Sequence, residues 1–205
     1  MKINRRTFLN GAVFVAVMPV VVAHADGAGD QLLEDFFDNG GEKDFLKSRG
    51  RNYIPKQFRR QTVNYSTNER VGTIIIDTGQ RFLYLVGENG QALRYGVGVG
   101  RAGFEWKGRA TIRRKAKWPS WYPPASMRRR QPELPVHMAG GIDNPLGARA
   151  LYLYQGGVDT LYRIHGTNQP WSIGKALSSG CVRMLNSDVE DLYTRVEMGA
   201  IVKVS

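Results

Sequence analysis

His165–Asn186 reads HGTNQPWSIGKALSSGCVRMLN and holds Cys181, the only cysteine of the 205-residue chain, together with one of its three histidines. An imidazole that takes the proton of a thiol turns it into a strong nucleophile, so His165 and Cys181 form a candidate catalytic pair if the fold lets them meet. The sixteen-residue step between them, wound as a helix, would hold them about 24 Å apart. The segment must therefore double back, and Pro170, Gly174 and Gly180 supply places for the reversal. That requirement argues for strands and turns around the pair.

Working outward, Thr160–Ile164 (TLYRI) reads as a strand that delivers His165 at its end, and Ala148–Tyr154 (ARALYLY) as its neighbour across the turn Gly156-Gly157. Nearer the N-terminus, Thr73–Asp77, Arg81–Val86 and Ala92–Gly100 follow one another with turns at Asp77–Gln80 and Glu88–Gly90, and Asn-Gly between apolar runs is a hairpin signal. Glycines 96, 98 and 100 leave one face of the last strand bare, open to close backbone approach or a bend. No helix follows them at the spacing a phosphate loop needs. Arg109–Lys117 is a further basic strand. Trp118–Pro135, WPSWYPPASMRRRQPELP, is too rich in proline for regular structure and reads as an ordered wall or lid of the site. His137, in turn-rich surroundings, reads as a surface or loop-packing residue, and Trp171 as either a substrate-facing aromatic or a loop anchor. Beyond the opening stretch, Ser187-x-x-Glu190 has the form of a capping box. It starts a helix with Val189, Leu192, Tyr193 and Val196 on one face, stopped by Gly199 before a last strand, Ala200–Val204.

Residues 1–25 have a basic start, an apolar run from Gly11 to Ala23 interrupted by Pro19, and Ala-His-Ala at 23–25, the form of a cleaved export signal. Arg5-Arg6 before Thr7-Phe8-Leu9 looks like a twin-arginine signal, a receptor-read address. The run is short for a bilayer span, which needs roughly 20 apolar residues, and nothing after it is hydrophobic enough, so the mature form has no transmembrane segment. Residues 26–70 read as an extension, with a short amphipathic helix at Gln31–Phe37, a break at Gly40-Gly41 and a basic stretch through Pro55 and Arg59-Arg60. This segment is expected to be less ordered or to pack along the outside of the domain, and 71–205 as the catalytic domain. Loss of Lys2, Arg5 and Arg6 with the signal lowers the formal net charge from +11 to +8. Such a balance suits anionic partners, with nucleic acid the weakest of them for an exported, periplasmic protein, or simply a solvated surface.

Exported proteins usually pair their cysteines, so a single one is a buried inert thiol, an intermolecular link or a reactive group. Ser178-Ser179-Gly180 before Cys181 has the small side chains of a tight approach to a nucleophile; nearby backbone N–H groups are candidates for an oxyanion hole. Arg183 adds positive charge that favours a thiolate or binds a substrate carboxylate. One cysteine and no histidine cluster exclude a structural zinc site, no cofactor is called for, and no G-x-S-x-G elbow is present.

HGTN, PWSIG and SSGCVRMLN with DVEDLY behind them, preceded by TIIIDTGQRFLYLV and the NPLGARALYL block, resemble the signature of the L,D-transpeptidase catalytic domain over roughly Gly72 to Val204. The resemblance implies a mainly β, sandwich or barrel-like domain with one clear helix in the C-terminal half. It also implies action on peptidoglycan stem peptides, with Cys181 as nucleophile, His165 as base and then acid, and the Gly166 carbonyl orienting the imidazole. Gly180, Ser179 and Arg183 fall at substrate-binding positions. The amine acceptor is a neighbouring stem peptide, an outer-membrane protein or, in a hydrolytic variant, water. One departure stands out: Ser179 occupies a position where the family often has histidine.

Overall fold

A computed structural model describes residues 54–101 and 106–205; the expected signal, the Gln31–Phe37 helix and the Gly40-Gly41 break lie outside the described residues. Eleven strands fall in chain order: β1 (Gln61–Asn64), β2 (Ile74–Asp77), β3 (Phe82–Val86), β4 (Gln91–Gly96), β5 (Val99–Gly100), β6 (Gly108–Lys117), β7 (Arg149–Gln155), β8 (Val158–His165), β9 (Ala176–Ser178), β10 (Val182–Arg183) and β11 (Ile201–Val204). Among the described residues two α-helices, α1 (Ala125–Arg130) and α2 (Asn186–Arg195), complete a mainly β architecture with one principal helix. No helix among the described residues is long and apolar enough to cross a membrane.

Nine strands form one sheet in the order β1-β4-β3-β2-β11-β6-β7-β8-β10, and β5 and β9 form a separate parallel pair. The β2-β3-β4 meander turns at Asn89 and Gly90, whose φ values of 55° and 68° are those that Asn-Gly is suited to supply. β1, in the segment read as an extension, pairs antiparallel with β4 and lines the sheet's outer edge. It is anchored by Phe58, whose backbone and ring occupy the space that side chains at Gly96 and Gly174 would need.

The main core lies between the sheet and α2. Ile112 on β6, Leu151 and Leu153 on β7, Ile164 on β8 and Val182 and Met184 around β10 pack with Val189, Leu192 and Val196 of the helix region. Burial of several such side chains, each worth roughly 1.5–3 kcal/mol, fixes which face of each strand turns inward. At the far end of α2 the Lys115 ammonium donates to the Tyr193 and Val196 carbonyls at 2.6 and 2.7 Å, satisfying acceptors that a helix C-terminus leaves open.

Two local expectations are corrected. The Trp118–Pro135 stretch is not wholly irregular, because α1 forms inside it. Pro124 stands at the N-cap, where a missing N–H costs nothing, and ASMRRR follows without a breaker. Ser187 is not the N-cap: α2 begins at Asn186 with Leu185 at the N-cap, two residues ahead of the expected position, so Ser187 lies inside the first turn. The Leu185 carbonyl accepts the first helical bonds, from Asp188 and Val189. Glu190 pairs with Arg149 at 3.6 Å.

Candidate active site

His165 ends β8, and the chain then makes a loop and a short 3-10 turn at Pro170–Ser172 before returning through β9 to Cys181. The return path is held by the glycine-rich strand. Gly174 donates to the Val97 carbonyl, Val99 to Lys175 and Arg101 to Ser178, while Gly98 and Arg183 exchange both backbone bonds at 2.9 and 2.8 Å. A side chain at Gly98 would strike the Ser172 carbonyl. The bare face of this strand is therefore what lets the loop lie against it.

β10 then pairs parallel with β8, Val182 opposite Ile164 and Arg183 opposite His165. Side chains alternate across a strand, so Arg163, His165, Cys181 and Arg183 share one face while Ile164, Val182 and Met184 point into the core. The sequence-predicted pair is thus brought to adjacent strands on the face away from α2.

The imidazole is almost fully buried, at 4 % exposure. Its Nδ1 lies 2.6 Å from the Gly166 carbonyl, an arrangement in which Nδ1–H donates and Nε2 keeps its lone pair. Burial, followed by the Arg183 charge, pushes its pKa down to about 4; the carbonyls of Gly166 and Leu146 oppose that shift, and Arg163 reinforces it. The ring is neutral, and able to accept a proton, at neutral pH.

Cys181 is half-buried, and its thiol donates weakly to the Leu161 carbonyl at 3.9 Å rather than to the imidazole. Burial pushes this thiol up. The Arg163 amide and the charges of Arg163 and Arg183 pull the other way, and the Asp159 charge adds to the burial effect. The resting pair is therefore a neutral thiol and a neutral imidazole, not a preformed ion pair.

The remaining predicted positions are spread around this centre. Gly166 supplies the carbonyl to His165. Gly180 has φ 113°, and its amide donates to Ser178 Oγ at 3.2 Å, so that N–H is already engaged. Ser178 Oγ in turn donates to the Cys181 carbonyl at 2.6 Å. Ser179 is exposed. The Arg183 guanidinium reaches Gln169 Oε1 at 3.2 Å. His137 is exposed, with its ring 4.7 Å from that of Tyr122. Trp171 is half-buried in the 3-10 turn.

Residues that the sequence did not single out complete the site. Asn186 Oδ1 accepts from the amides of Ala148 and Thr167, both at 3.1 Å, and so ties the entrance of β7 to the loop that carries Gly166. Arg163 pairs with both carboxylate oxygens of Asp159 and lies 4.3 Å over the Tyr152 ring, with Arg114 at 4.4 Å over the same ring. An aspartate two residues before an amide it accepts from, as Asp159 is to Leu161, is a readable turn signal; nothing in sequence marks Asn186 as a tie.

A family model described as YkuD, L,D-transpeptidase catalytic domain, matches residues 72–204. Among curated proteins, the chain is 33% identical over 143 residues to the probable L,D-transpeptidase ErfK/SrfK of Escherichia coli K12, covering 66% of this chain and 44% of that protein. It is likewise 33% identical over 140 residues to the probable L,D-transpeptidase YbiS of the same strain, covering 64% and 44%. The chain thus spans less than half the length of these relatives. A crystal structure from Brucella melitensis, described as a probable carnitine operon oxidoreductase caia, is 51% identical with a TM-score of 0.51, covering 72% of this chain and 92% of that one.

Proposed function

The chain belongs to the YkuD family of L,D-transpeptidase catalytic domains, and on that premise we propose that it is a cysteine-dependent acyltransferase acting on peptidoglycan stem peptides, with residues 71–205 as the catalytic domain. The observation that carries the proposal is the parallel register of β10 on β8, which sets Cys181 and His165 on one sheet face beside Arg163 and Arg183.

The Cys181 thiol leaves the Leu161 carbonyl as substrate enters and passes its proton to His165 Nε2, while the Gly166 carbonyl holds Nδ1–H and stabilises the imidazolium that forms. The thiolate attacks the carbonyl carbon of the diamino acid at the third position of a tetrapeptide stem. With the Gly180 amide committed to Ser178, the Cys181 amide is our choice of donor to the developing oxyanion. His165 returns the proton to the departing D-Ala amine as the C–N bond breaks, leaving a thioester. An acceptor amine then attacks the thioester and loses a proton to His165, and the thiolate departs and is reprotonated, giving a 3-3 cross-link. The Arg183 charge, beside the Ser179-Gly180 bend that leads into Cys181, favours a substrate carboxylate at this face. We further propose export through the twin-arginine route to the periplasm, on the strength of residues 1–25.

Incubation with disaccharide-tetrapeptides and weighing of the products tests the reading. Dimers lighter by one D-Ala support cross-linking, tripeptides alone point to a carboxypeptidase, and products that require an added protein amine point to anchoring. A Cys181→Ala variant as active as the wild type would overturn the whole mechanism, and one inactive while still bound to the wall separates catalysis from a wall-binding role. A carbapenem is expected to add one adduct, on Cys181, by intact mass.

A further inference from the structure

β8 is not a regular strand. Tyr152 stands opposite Arg163 and Tyr154 opposite Asp159, so Thr160, Leu161 and Tyr162 bulge against the single residue Leu153. At the crest Leu161 has φ 63°, a left-handed conformation that leucine rarely adopts, while its side chain is 76 % exposed and gains little from burial. The bulge is held by side chains. Asp159 Oδ1 accepts from the Leu161 amide at 2.8 Å and from one Arg163 guanidinium nitrogen at 2.7 Å, and Oδ2 accepts from the other at 2.9 Å. Thr160 Oγ1 donates to the Leu153 carbonyl at 2.7 Å and accepts from the Tyr162 amide at 3.2 Å. The groups that this bulge presents to Cys181 are the Leu161 carbonyl and the Arg163 amide.

We infer that Asp159 is a positioning residue for the nucleophile: its carboxylate pins the Leu161 bulge and neutralises Arg163, so that the Cys181 thiol rests, with its proton, on the Leu161 carbonyl until substrate displaces it. A sulfur that donates to a carbonyl must keep its proton, and a bulge beside a reactive group is a recurrent way to aim one. The charged groups around the thiol are Asp159 and Arg163 from β8, Arg183 from β10 and, across the Tyr152 ring, Arg114 from β6, and the titratable but neutral His165 stands on the same face. Without the Asp159 charge, the pull of the Arg163 and Arg183 charges on the sulfur loses an opposing negative charge and the thiolate becomes easier to form. Asp159 itself stays ionised: burial raises its pKa, but the Arg163 and Leu161 hydrogen bonds and the Arg163 and Arg114 charges outweigh burial and hold it below the usual carboxylate range. The functional side of this inference rests on Cys181 being the nucleophile of the proposed reaction; the resting geometry does not.

Cys181 is the only cysteine, so alkylation of the full chain by iodoacetamide, followed by intact mass across pH, reports on it alone. In Asp159→Asn the alkylation midpoint is expected to fall, with a rate at neutral pH about threefold or more above wild type. Asp159→Glu, which keeps the charge, should move back towards the wild-type midpoint. An Asp159→Asn curve that overlays the wild type, on a protein folded by circular dichroism, overturns the inference. Should that variant fail to fold, the wild-type S–H stretching band decides: a shift to lower frequency than a free thiol supports the hydrogen bond to Leu161, and an unshifted band refutes it. Neither readout needs turnover, so a protein that releases no D-Ala would sink the proposed function and leave this test standing.

Discussion

Asn186→Ala is expected to damage both stability and catalysis, through two hydrogen bonds that no neighbouring group can replace. Its Oδ1 accepts from the buried amides of Ala148 and Thr167 at 3.1 Å each, and Asn186 is itself 5 % exposed. A buried N–H that loses its partner costs about 1–3 kcal/mol, so two give roughly 2–6 kcal/mol, with the lower end reached if water enters the space left by the side chain. Taking about 3 kcal/mol, the loss is a large fraction of the 5–15 kcal/mol by which domains of about this size are usually stable. The site should feel it, because the loop loosened is the one whose Gly166 carbonyl holds the imidazole, and Gly147 and Gly166 approach Asn186 so closely that neither has room for a side chain. Urea unfolding should show a lower midpoint at unchanged slope. Hydrogen exchange should show the Ala148 and Thr167 amides losing protection, and D-Ala release should slow by more than the fraction unfolded explains. Stability within about 0.5 kcal/mol of wild type, with both amides still protected, would refute the reasoning.

Three further outcomes follow from buried polar contacts. Tyr95 is fully buried and its hydroxyl donates to Asp191 Oδ2 at 2.6 Å, in a cluster where Arg60 and Arg195 also bind that carboxylate; Tyr95→Phe should cost about 1.5–3 kcal/mol in denaturant unfolding. Lys115→Met should leave the Tyr193 and Val196 carbonyls without their donor and cost about 1–2 kcal/mol, visible as faster amide exchange in the last turn of α2. The third is acid lability. His165 has its folded pKa pushed down to about 4 from 6.5, so the unfolded chain binds a proton there more readily and stability falls as pH drops from about 6.5 to about 4. The shift corresponds to about 3 kcal/mol, and His165→Gln should flatten the melting temperature over that window; a curve as steep as wild type would contradict the buried neutral ring. Below that window Asp159 and Asp191, both held below their usual range, add a further loss, because their stabilisation is lost as pH falls towards their folded pKa values.

The parts of the fold legible in the sequence were those set by local chemistry. The apolar alternation of the Ile74–Gly96 meander, Asn89-Gly90 at its turn and the Val189, Leu192 and Val196 stripe each correspond to structure because burial and backbone preference agree there. What was not legible depends on distant partners. β9 and β10 have only three and two residues, too few for any periodicity, and exist because the Val97–Arg101 backbone and β8 offer ladders on either side. α2 starts ahead of the Ser187 pattern, and Asn186, at its first position, places its side chain on the distant amides of Ala148 and Thr167, a tie that no local pattern announces. The left-handed Leu161 is the clearest case: no preference of leucine produces it, and it persists because Asp159, Thr160 and the fixed ends of β8 over-determine it.

The placing of His165 and Cys181 on one face of neighbouring strands was readable as a need of the chemistry, but the means of achieving it lies in strand parity. Neighbouring parallel strands cannot be joined by a tight turn, so the loop from Gly166 to Gly180 is the crossover that the parallel pairing of β10 with β8 demands. A slip of one residue in that pairing would turn Cys181 and Arg183 into the core and bring Val182 and Met184 out, exchanging a thiol and a guanidinium for two apolar side chains that are now almost fully buried. Burying an unpaired guanidinium alone costs several kcal/mol, on top of the lost apolar burial. The wrong register is therefore strongly disfavoured on stability alone. The two glycines at 98 and 180 matter for the same reason: one lets β10 gain a second ladder, and the other takes the φ of 113° that the approach to Cys181 requires. The packing of Ile164, Val182 and Met184 under α2 thereby fixes the face on which Cys181 and His165 stand, so the hydrophobic core sets the geometry of the candidate site before any substrate is bound.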